Sequence, residues 1–230
     1  MKRLMIFGII LAFFAACNNG DDTGNEPVEL TFDFSGGAAG WTGDFADYPI
    51  GEAESYELDY EISTLPAPLD ENEAAFVLTG TNMSDDLFMF MKKKITGLSP
   101  NTIYNADFTV EFATNVPDGT VGIGGSPGES VFIKAGATHV EPVPVEDDMD
   151  YYRMNIDKGG QSQGGSDMVV VGDFSNDTDQ EIYVLKTVSN ETPFTVTTNQ
   201  NGELWLIVGS DSGFEGNTTI YYNVVGVNLY

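Results

Sequence analysis

The sequence predicts an all-β fold, either a sandwich or a barrel, from three observations. Many short segments alternate apolar and polar side chains, as half-buried strands do. Turn-forming residues separate them, because the chain holds 26 glycines and 10 prolines. No segment of helical length carries apolar residues at helical spacing. Strands of this kind must cover their apolar faces with a second sheet or close on themselves, so an all-β sandwich or barrel is expected.

The stretch over residues 84–115 has the strongest strand signal. Residues 87–91 are apolar without a break, which predicts a strand buried on both faces in the centre of a sheet. Residues 104–112 alternate strictly, and a helix would scatter their apolar side chains around its circumference. A Gly/Ser/Pro-containing turn lies between the two parts, at residues 96–101. The sequence therefore predicts a long antiparallel hairpin here.

The other strands are predicted by the same alternation. They lie in residues 28–34, 56–62, 75–80, 131–135, 151–156, 168–174, 182–188, 194–198, 203–208 and 218–229. Segments rich in glycine or punctuated by proline are predicted loops, and a short extended piece is expected within one of them, at residues 121–123. About two hundred residues can close one core, and no internal repeat is visible. We therefore expect one β-sandwich domain over residues 28–230.

The N-terminus predicts export. Lys2 and Arg3 precede an uncharged, mostly apolar run over residues 4–16. As a helix this run would reach only about 20 Å, short of the roughly 30 Å hydrocarbon core of a bilayer. The pattern is therefore typical of a signal peptide over residues 1–16.

Cys17, the only cysteine, ends the apolar run directly after Ala15 and Ala16. This arrangement resembles the lipobox of bacterial lipoproteins, in which small residues precede a cysteine that is acylated and becomes the new N-terminus. Phe14 stands where leucine is usual. The resemblance implies lipidation at Cys17, and the alternative is a simple secretory peptide cut nearby. Lipidation explains the cysteine better, because a lone free thiol in an oxidising compartment is a liability.

Residues 17–27 predict a flexible tether, because apart from Cys17 and Pro27 they hold only polar residues and glycine. Such a segment cannot bury enough surface to offset the entropy of ordering. Its acidic, Asn-rich composition resembles the surface-export signal of Bacteroidota lipoproteins. That resemblance implies an outer-membrane, lipid-anchored protein that faces the cell surface or the periplasm.

The charge of the chain excludes two classes of partner. Removing residues 1–16 leaves 7 basic residues against 36 acidic ones, a formal charge of −29. This balance repels nucleic acid and anionic lipid headgroups. We expect no nucleic-acid partner, and contact with the membrane only through the lipid anchor.

Two segments resemble the carbohydrate-binding jelly rolls of the galactose-binding-like superfamily. Residues 95–112, with Gly97-Leu98-Ser99-Pro100-Asn101 at the turn, are similar to a turn and strand of these modules. Residues 202–227 are similar to their closing hairpin, with Asn223 where aspartate is common. The resemblance implies a jelly-roll β-sandwich of two antiparallel sheets. It implies less about the ligand, because such sandwiches host many functions.

Few residues point to catalysis. His139 is the only histidine, which excludes metal catalysis by several histidines. No Gly-x-Ser-x-Gly nucleophile motif is present. Carboxylates are plentiful, so a jelly-roll glycosidase with a carboxylate pair stays open as an alternative. A polysaccharide lyase would need a basic cluster, and Arg153 is the only arginine after residue 16. The leading expectation is a protein without catalytic activity.

Binding of a neutral glycan is the leading hypothesis, because aromatic rings stack on sugars while amides and carboxylates bind the hydroxyls. Trp41 is the first choice, because its glycine-rich loop is expected to leave it exposed. Trp205 alternates with leucines and is expected in the core. The alternative is a structural or adhesive surface lipoprotein that binds a protein partner, with these aromatics packed. The candidate ligand-binding residues are Trp41, Phe45, Tyr48, Tyr151, Tyr152 and Phe214.

Calcium is the one cofactor that the sequence suggests, as a structural ion, because hard oxygen ligands suit it. The segment over residues 173–181 lacks the glycine of an EF-hand loop, and its candidate ligands are Asp173, Asp177, Asp179 and Glu181. A second acidic segment holds Asp44, Asp47, Glu52 and Glu54. The alternative is that both segments are solvated acidic surface.

Overall fold

The computed structural model describes residues 26–230. The predicted signal peptide, Cys17 and most of the predicted tether lie outside the described residues. The described chain forms fifteen strands and one short 3-10 helix, Phe34–Gly36. The strands are β1 Val28–Asp33, β2 Thr42–Ala46, β3 Tyr48–Pro49, β4 Asp59–Thr64, β5 Ala74–Thr81, β6 Leu87–Ile95, β7 Ile103–Thr114, β8 Val131–Thr138, β9 Pro144–Glu146, β10 Tyr151–Met154, β11 Met168–Asp173, β12 Val184–Ser189, β13 Phe194–Thr197, β14 Leu204–Ser212 and β15 Asn217–Leu229.

The strands form two large antiparallel sheets and one small sheet. The seven-stranded sheet has the order β12-β7-β15-β5-β4, with β1 also paired to β15 and β13 also paired to β7. The five-stranded sheet has the order β11-β8-β14-β6-β2. The small sheet has the order β3-β10-β9. The predicted all-β sandwich of two antiparallel sheets is confirmed, and among the described residues no helix is long and apolar enough to span a bilayer.

The main core lies between the two large sheets. The strict alternation in β7 is confirmed over residues 104–112, because every second residue from Tyr104 to Phe112 is buried while the alternate residues are exposed or half-buried. Tyr222 of β15 is fully buried and its ring lies 6.5 Å from that of Phe112. Each fully buried large apolar side chain contributes roughly 1.5–3 kcal/mol, so the facing rows of such residues stabilise the sandwich.

The five-stranded sheet is buried on its outer face as well. The segment over residues 139–167, which contains β9 and β10, covers this face. Its Ile156 packs with Phe88 and Phe90 of β6 in a second apolar cluster. The unbroken apolar run in β6 therefore has a physical reason, because both of its faces are covered and both of its edges are paired.

The predicted hairpin of β6 and β7 is wrong. β6 pairs with β14 and β2, whereas β7 pairs with β15, β12 and β13 in the other sheet. The chain over residues 96–102 crosses between the sheets, with Gly97 and Asn101 at positive φ. The resembled closing hairpin of β14 and β15 is also a crossing, since the two strands lie in different sheets. Such crossings are typical of jelly rolls.

Three short strands, β2, β3 and β9, fall in segments that the sequence predicted as loops. β2 carries Gly43 and Asp44, and β9 begins with Pro144, so none of the three shows clean alternation. Both β2 and β9 are edge strands, where glycine and proline are tolerated. The short extended piece expected at residues 121–123 is not a strand in the structure.

The two ends of the sandwich differ. Val28 pairs with Leu229, so the first described strand begins where the last one ends, at what we call the proximal end. The opposite, distal end carries the segments over residues 82–86, 115–130 and 213–216. Backbone hydrogen bonds join these segments, from Asn82 N to Gly216 O (2.9 Å) and from Glu215 N to Ile123 O (2.8 Å).

Candidate functional site

A pocket of about 570 Å³ opens at the distal end, beside the outer face of the five-stranded sheet. Its wall is built from three parts of the chain: Asp47, residues 84–86, and residues 153–161. Carboxylates, one arginine, one lysine and one glutamine line it, together with the apolar side chains of Met154 and Ile156. The volume lies within the range of ligand pockets.

Asn82 shapes one wall of the pocket. Its buried amide donates hydrogen bonds to Ser212 O (2.8 Å) and Phe214 O (3.0 Å). Its Oδ1 accepts from the backbone nitrogens of Ser84 (3.1 Å) and Asp86 (3.3 Å). The turn before β6 is thereby tied to the neighbouring turn, which orients the Asp85 and Asp86 side chains.

Lys134 of β8 holds the opposite wall from inside the protein. Its side chain is fully buried, and Nζ donates to Lys158 O (3.0 Å), Gln163 O (3.1 Å) and Gly160 O. The same ammonium lies 2.8 Å from Asp211 Oδ2 of β14. One buried cation thus gathers three backbone carbonyls and ties the segment over residues 158–163 to the sheet beneath it.

Ion pairs connect this buried pair to the pocket. Lys158 Nζ lies 2.7 Å from Asp211 Oδ2 and 2.9 Å from Asp47 Oδ2. Arg153 Nη1 lies 2.9 Å from Asp47 Oδ1 and 3.1 Å from Asp86 Oδ2. Partly buried pairs of this kind are screened less by salt than surface pairs, so the network keeps its geometry at physiological ionic strength.

Burial, hydrogen bonds and neighbouring charges shift the pKa values of the ionisable groups in the pocket. Burial, and next the neighbouring carboxylate of Asp47, raise the pKa of Asp86 from 3.8 to about 6. The backbone N–H groups of Ser166 and Gly159 lower the pKa of Asp157, which therefore stays ionised. Burial opposes the charge of Lys158, but Asp211 and Asp47 outweigh it and raise the pKa of this lysine. The site therefore combines the ionised carboxylate of Asp157 with the carboxyl of Asp86, which titrates near pH 6.

Trp41, the first choice among the predicted sugar-binding residues, is buried, so the exposure expected of it is wrong. The side chain is only 2% exposed. Its ring meets those of Phe32 and Phe34 edge-on, at 5.3 and 6.2 Å. Gly37 and Gly40, both at positive φ, let the loop turn back over the end of β1. Folding the indole inward removes a large apolar area from water, so the flexible loop closes over it.

Phe45 and Tyr48 are also buried. Tyr152 is half-buried and packs on Tyr48, with ring centroids 5.3 Å apart, so this group of aromatics supports β10 rather than facing solvent. Tyr151 is half-buried too, and the Arg153 guanidinium lies 4.7 Å from its ring centre. Tyr151 therefore contacts a residue that lines the pocket, although none of the predicted aromatics lines the pocket itself.

Phe214 belongs to the distal segment over residues 213–216 and is half-buried. Its ring lies so close to Gly122 and Gly216 that a Cβ on either glycine would clash with it. The ring therefore packs the distal loops together. His139, the only histidine, is exposed and lies at the start of the covering segment, outside the pocket.

The predicted calcium segment is organised by a lysine. Lys186 Nζ lies 3.0 Å from Asp173 Oδ1, 2.9 Å from Asp177 Oδ1 and 2.9 Å from Ser175 O. Its ammonium occupies the position that a cation would take, while Asp179 and Glu181 are exposed. The described geometry does not fit a calcium ion at these four residues.

The second acidic segment does not gather around an ion either. Glu52 accepts a hydrogen bond from Ser55 Oγ, and Asp47 joins the ion-pair network. Within residues 26–230, Asp47, Asp86 and Asp211 are the group of carboxylates close enough to share a metal, with oxygens within 4.8 Å of one another. The Lys158 ammonium and the Arg153 guanidinium already lie among these carboxylates and supply the positive charge there.

Four residues of the site were not predicted from the sequence, namely Lys134, Lys158, Asp86 and Asp211. A signal was present for two of them, because Lys134 and Asp211 each interrupt a strand whose other residues are apolar or small. A charge within such a strand is expected to have a buried partner. The pairing itself could not be read, because 77 positions separate the two residues.

No family model and no curated protein sequence matches the chain. Among solved structures it is similar to a carbohydrate-binding module of the β-sandwich superfamily, at 15% identity and a TM-score of 0.40 over 84% of this chain and 58% of that one.

Two further solved structures match this chain over nearly all of their own length. A module described for specific mannan recognition, TmCBM27, has 14% identity and a TM-score of 0.41, over 90% of this chain and 99% of that one. The K1 cleaved adhesin domain of Lys-gingipain from Porphyromonas gingivalis has 10% identity and a TM-score of 0.38, over 88% of this chain and 98% of that one. These similarities concern a β-sandwich architecture, and no function is transferred from them.

The buried pair yields a stability prediction. Lys134→Met should lower the free energy of unfolding by about 3–5 kcal/mol, because it leaves the Asp211 charge buried with fewer partners. Urea denaturation would measure this loss. Lys94→Met is the matched control, because Lys94 is half-exposed beside Glu203 and should cost less than about 1 kcal/mol. Equal stability of the two variants would contradict the role assigned to Lys134.

The pKa of Asp86 yields a pH prediction. Folded Asp86 keeps its proton up to about pH 6, whereas the unfolded carboxyl loses it near 3.8, so this group makes the fold less stable as pH rises between those values. Asp86→Asn should therefore gain stability relative to the parent at about pH 8 but not at about pH 4. Urea denaturation at both pH values checks this, with exposed Asp59→Asn as the control. A stability difference independent of pH would disprove it.

Proposed function

We propose that this protein is an exported, lipid-anchored and non-catalytic protein that binds a neutral glycan in the distal pocket. The observation that carries the proposal is the pocket itself, with polar groups held rigidly around an apolar patch. Sugars present both kinds of surface, because their hydroxyls hydrogen-bond to carboxylates and amides while their C–H faces contact apolar groups.

Preorganisation supports binding. Asn82 fixes the wall over residues 84–86, and Lys134 fixes the wall over residues 158–163. A ligand that enters does not have to order these walls, so less conformational entropy opposes binding. Gln161 and Asp157 line the second wall. Gln161 Nε2 donates to Asp85 O and so links the two walls, which leaves its Oε1 and the ionised Asp157 carboxylate to accept from sugar hydroxyls.

The charge of the pocket disfavours acidic sugars. Four aspartates, at positions 47, 85, 86 and 157, line it against Arg153 and Lys158, and both of these cations are already ion-paired. A uronate would enter an excess of negative charge with no free cation to receive it. Glycans without acidic sugars are the better match.

The position of the pocket suits display from a membrane. The chain enters the sandwich at the proximal end, where β1 begins, and the pocket lies at the distal end. A tether that leads from an acylated Cys17 to Val28 would hold the pocket on the side away from the membrane. Two or more acyl chains would anchor it firmly, since each buried methylene contributes roughly 0.8 kcal/mol.

One observation favours a second candidate, glycosidic-bond hydrolysis. Asp86, with its pKa raised to about 6, lies close to the ion-paired Asp47 in the same pocket. Two carboxyls with separated pKa values are the arrangement used by glycosidases, in which the raised one acts as the acid. Because buried Asp47 is held by Arg153 and Lys158 and turned away from solvent, binding without catalysis is the stronger proposal.

A glycan array with the purified domain tests the proposal. We expect binding to neutral glycans, and a loss of about fivefold in affinity for Gln161→Ala, which removes one hydrogen-bonding amide from the pocket. Gln200→Ala is the matched control, because it removes an exposed glutamine at the proximal end and should bind as the parent does.

Silence across the array would overturn the proposal and favour the adhesive alternative with a protein partner. The bound glycans should also be incubated with the protein and assayed for new reducing ends. Release that Asp86→Asn abolishes would replace binding with hydrolysis as the function.

The lipid anchor has its own test. Cells that express the full chain and are fed a fatty-acid label should yield a labelled protein in the membrane fraction. Cys17→Ser should lose both the label and the membrane association, because the acylated thiol is gone. Labelling that persists in Cys17→Ser, or its absence from the parent chain, would refute lipidation at this residue.

A further inference from the structure

The basic groups around the pocket offer no free positive charge. Lys158 Nζ is shared by Asp47 and Asp211, at 2.9 and 2.7 Å. Arg153 is shared by Asp47 and Asp86 through Nη1, and its Nε lies 3.4 Å from Asp147 Oδ2. The Lys134 ammonium is surrounded by three carbonyls and Asp211 and does not reach the pocket.

Carboxylates outnumber the cations in the same region. Three basic residues, Lys134, Arg153 and Lys158, lie in or behind the pocket, and six aspartates line it or pair with these cations. The aspartates are Asp47, Asp85, Asp86, Asp147, Asp157 and Asp211. Among the described residues, the fully buried Oδ1 of Asp211 accepts no hydrogen bond. Asp211 belongs to the group of three aspartates whose carboxylates lie within 4.8 Å of one another, although it is buried behind the pocket and does not line it. The site is therefore short of positive charge.

Asp86 is the carboxylate best placed to receive a cation from a ligand. Its side chain lines the pocket and is about one-third exposed, and only its Oδ2 is paired, with Arg153. Asp85, next to it on the same wall, and Asp157, on the other wall, also line the pocket, and both are exposed. A cationic group in the pocket would have three carboxylates in reach without displacing any of the buried pairs.

We infer that the pocket selects glycans that carry a free amino group, with the sugar ammonium against Asp86 and the hydroxyls on Gln161 and Asp157. This inference rests on the proposed glycan binding in the same pocket and departs from it in one respect, because it assigns the tightest binding to a cationic sugar instead of a neutral one. An ammonium supplies the positive charge that the site lacks, and it brings three N–H donors to the carboxylates that line the pocket. An N-acetylated sugar supplies one amide N–H without charge, and a uronate adds a further negative charge.

The titration of Asp86 supports the same conclusion. The groups that face it are the carboxylates of Asp47 and Asp211 and the cations of Arg153 and Lys158, and burial raises its pKa to about 6. Burial and the neighbouring carboxylates thus favour the protonated form of this carboxyl. A sugar ammonium would take the place of that proton, so its binding should weaken as pH falls below about 6, where protonated Asp86 no longer attracts it.

Four tetrasaccharides test the inference by isothermal titration calorimetry. Three share a β-1,4-linked glucose backbone and differ only at C2, where cellotetraose has a hydroxyl, chitotetraose an acetamide and glucosamine tetrasaccharide an ammonium. Tetragalacturonate is the acidic comparison. At about pH 6.5, where Asp86 is mostly ionised and part of the sugar amines stays protonated, we expect the glucosamine form to bind about fivefold tighter than the other two β-glucans, and tetragalacturonate to bind most weakly.

Asp86→Asn should remove the preference and the fall in affinity below about pH 6, because the titrating charge is lost. Asp59→Asn makes the same charge change on β4, away from the pocket, and should keep both. Acetyl-lysine amide with a free side-chain amine is the probe for a bare ammonium. Equal affinity for it and for the glucosamine tetrasaccharide would overturn the inference, because recognition would then be of an amine alone.

The outcomes separate the inference from the proposed function. If the glucosamine form binds no tighter than the hydroxyl or acetamide form, the inference fails while glycan binding stands. If Asp86→Asn keeps the preference, the assigned carboxylate is wrong and the inference fails. If no member of this series and no glycan on the array binds, the proposed function fails, and the inference fails with it.

Discussion

The buried ion pair between Lys134 and Asp211 is the interaction on which the candidate site depends. Both side chains are fully removed from solvent, yet the lysine also binds three carbonyls of the segment over residues 158–163. A buried charge without partners is strongly unfavourable, so the segment that supplies the carbonyls must stay in place. The electrostatic requirement of one ammonium thereby holds the wall of the pocket on the sheet.

Apolar contact and this ion pair together keep the outer face of the five-stranded sheet covered. Phe88 and Phe90 would expose a large apolar patch if residues 139–167 did not pack over them. Apolar contact and the lysine clamp act at different places along this segment, with Ile156 on the phenylalanines and Lys158 above Asp211. The outer face of the sheet is therefore covered by this segment. The pocket lies at the distal end, and its polar groups can contact a ligand there.

The alternation pattern predicted which residues face the core but not which strands pair. In β7, period-two alternation identified Tyr104, Phe108 and Phe112 as buried, and the structure confirms it. The same pattern suggested a hairpin with β6, because neighbours in sequence often pair. Alternation depends on burial of one face, which either sheet can provide, so it could not distinguish a hairpin from a crossing. For Trp41 the loop composition suggested exposure, but the burial of a large ring prevailed.

The sequence by itself determined the all-β class, the position of most strands and the strongly negative charge, because each of these depends on local pattern or composition. Export and lipidation at Cys17 stay predictions from the same kind of local pattern. Only the tertiary structure decided the pocket. Its walls come from Asp47, residues 84–86 and residues 153–161, and its support comes from Lys134 and Asp211. The physical reason is that a charge acquires a shifted pKa or a rigid position from groups around it in space, and here those groups are supplied by long-range strand pairing.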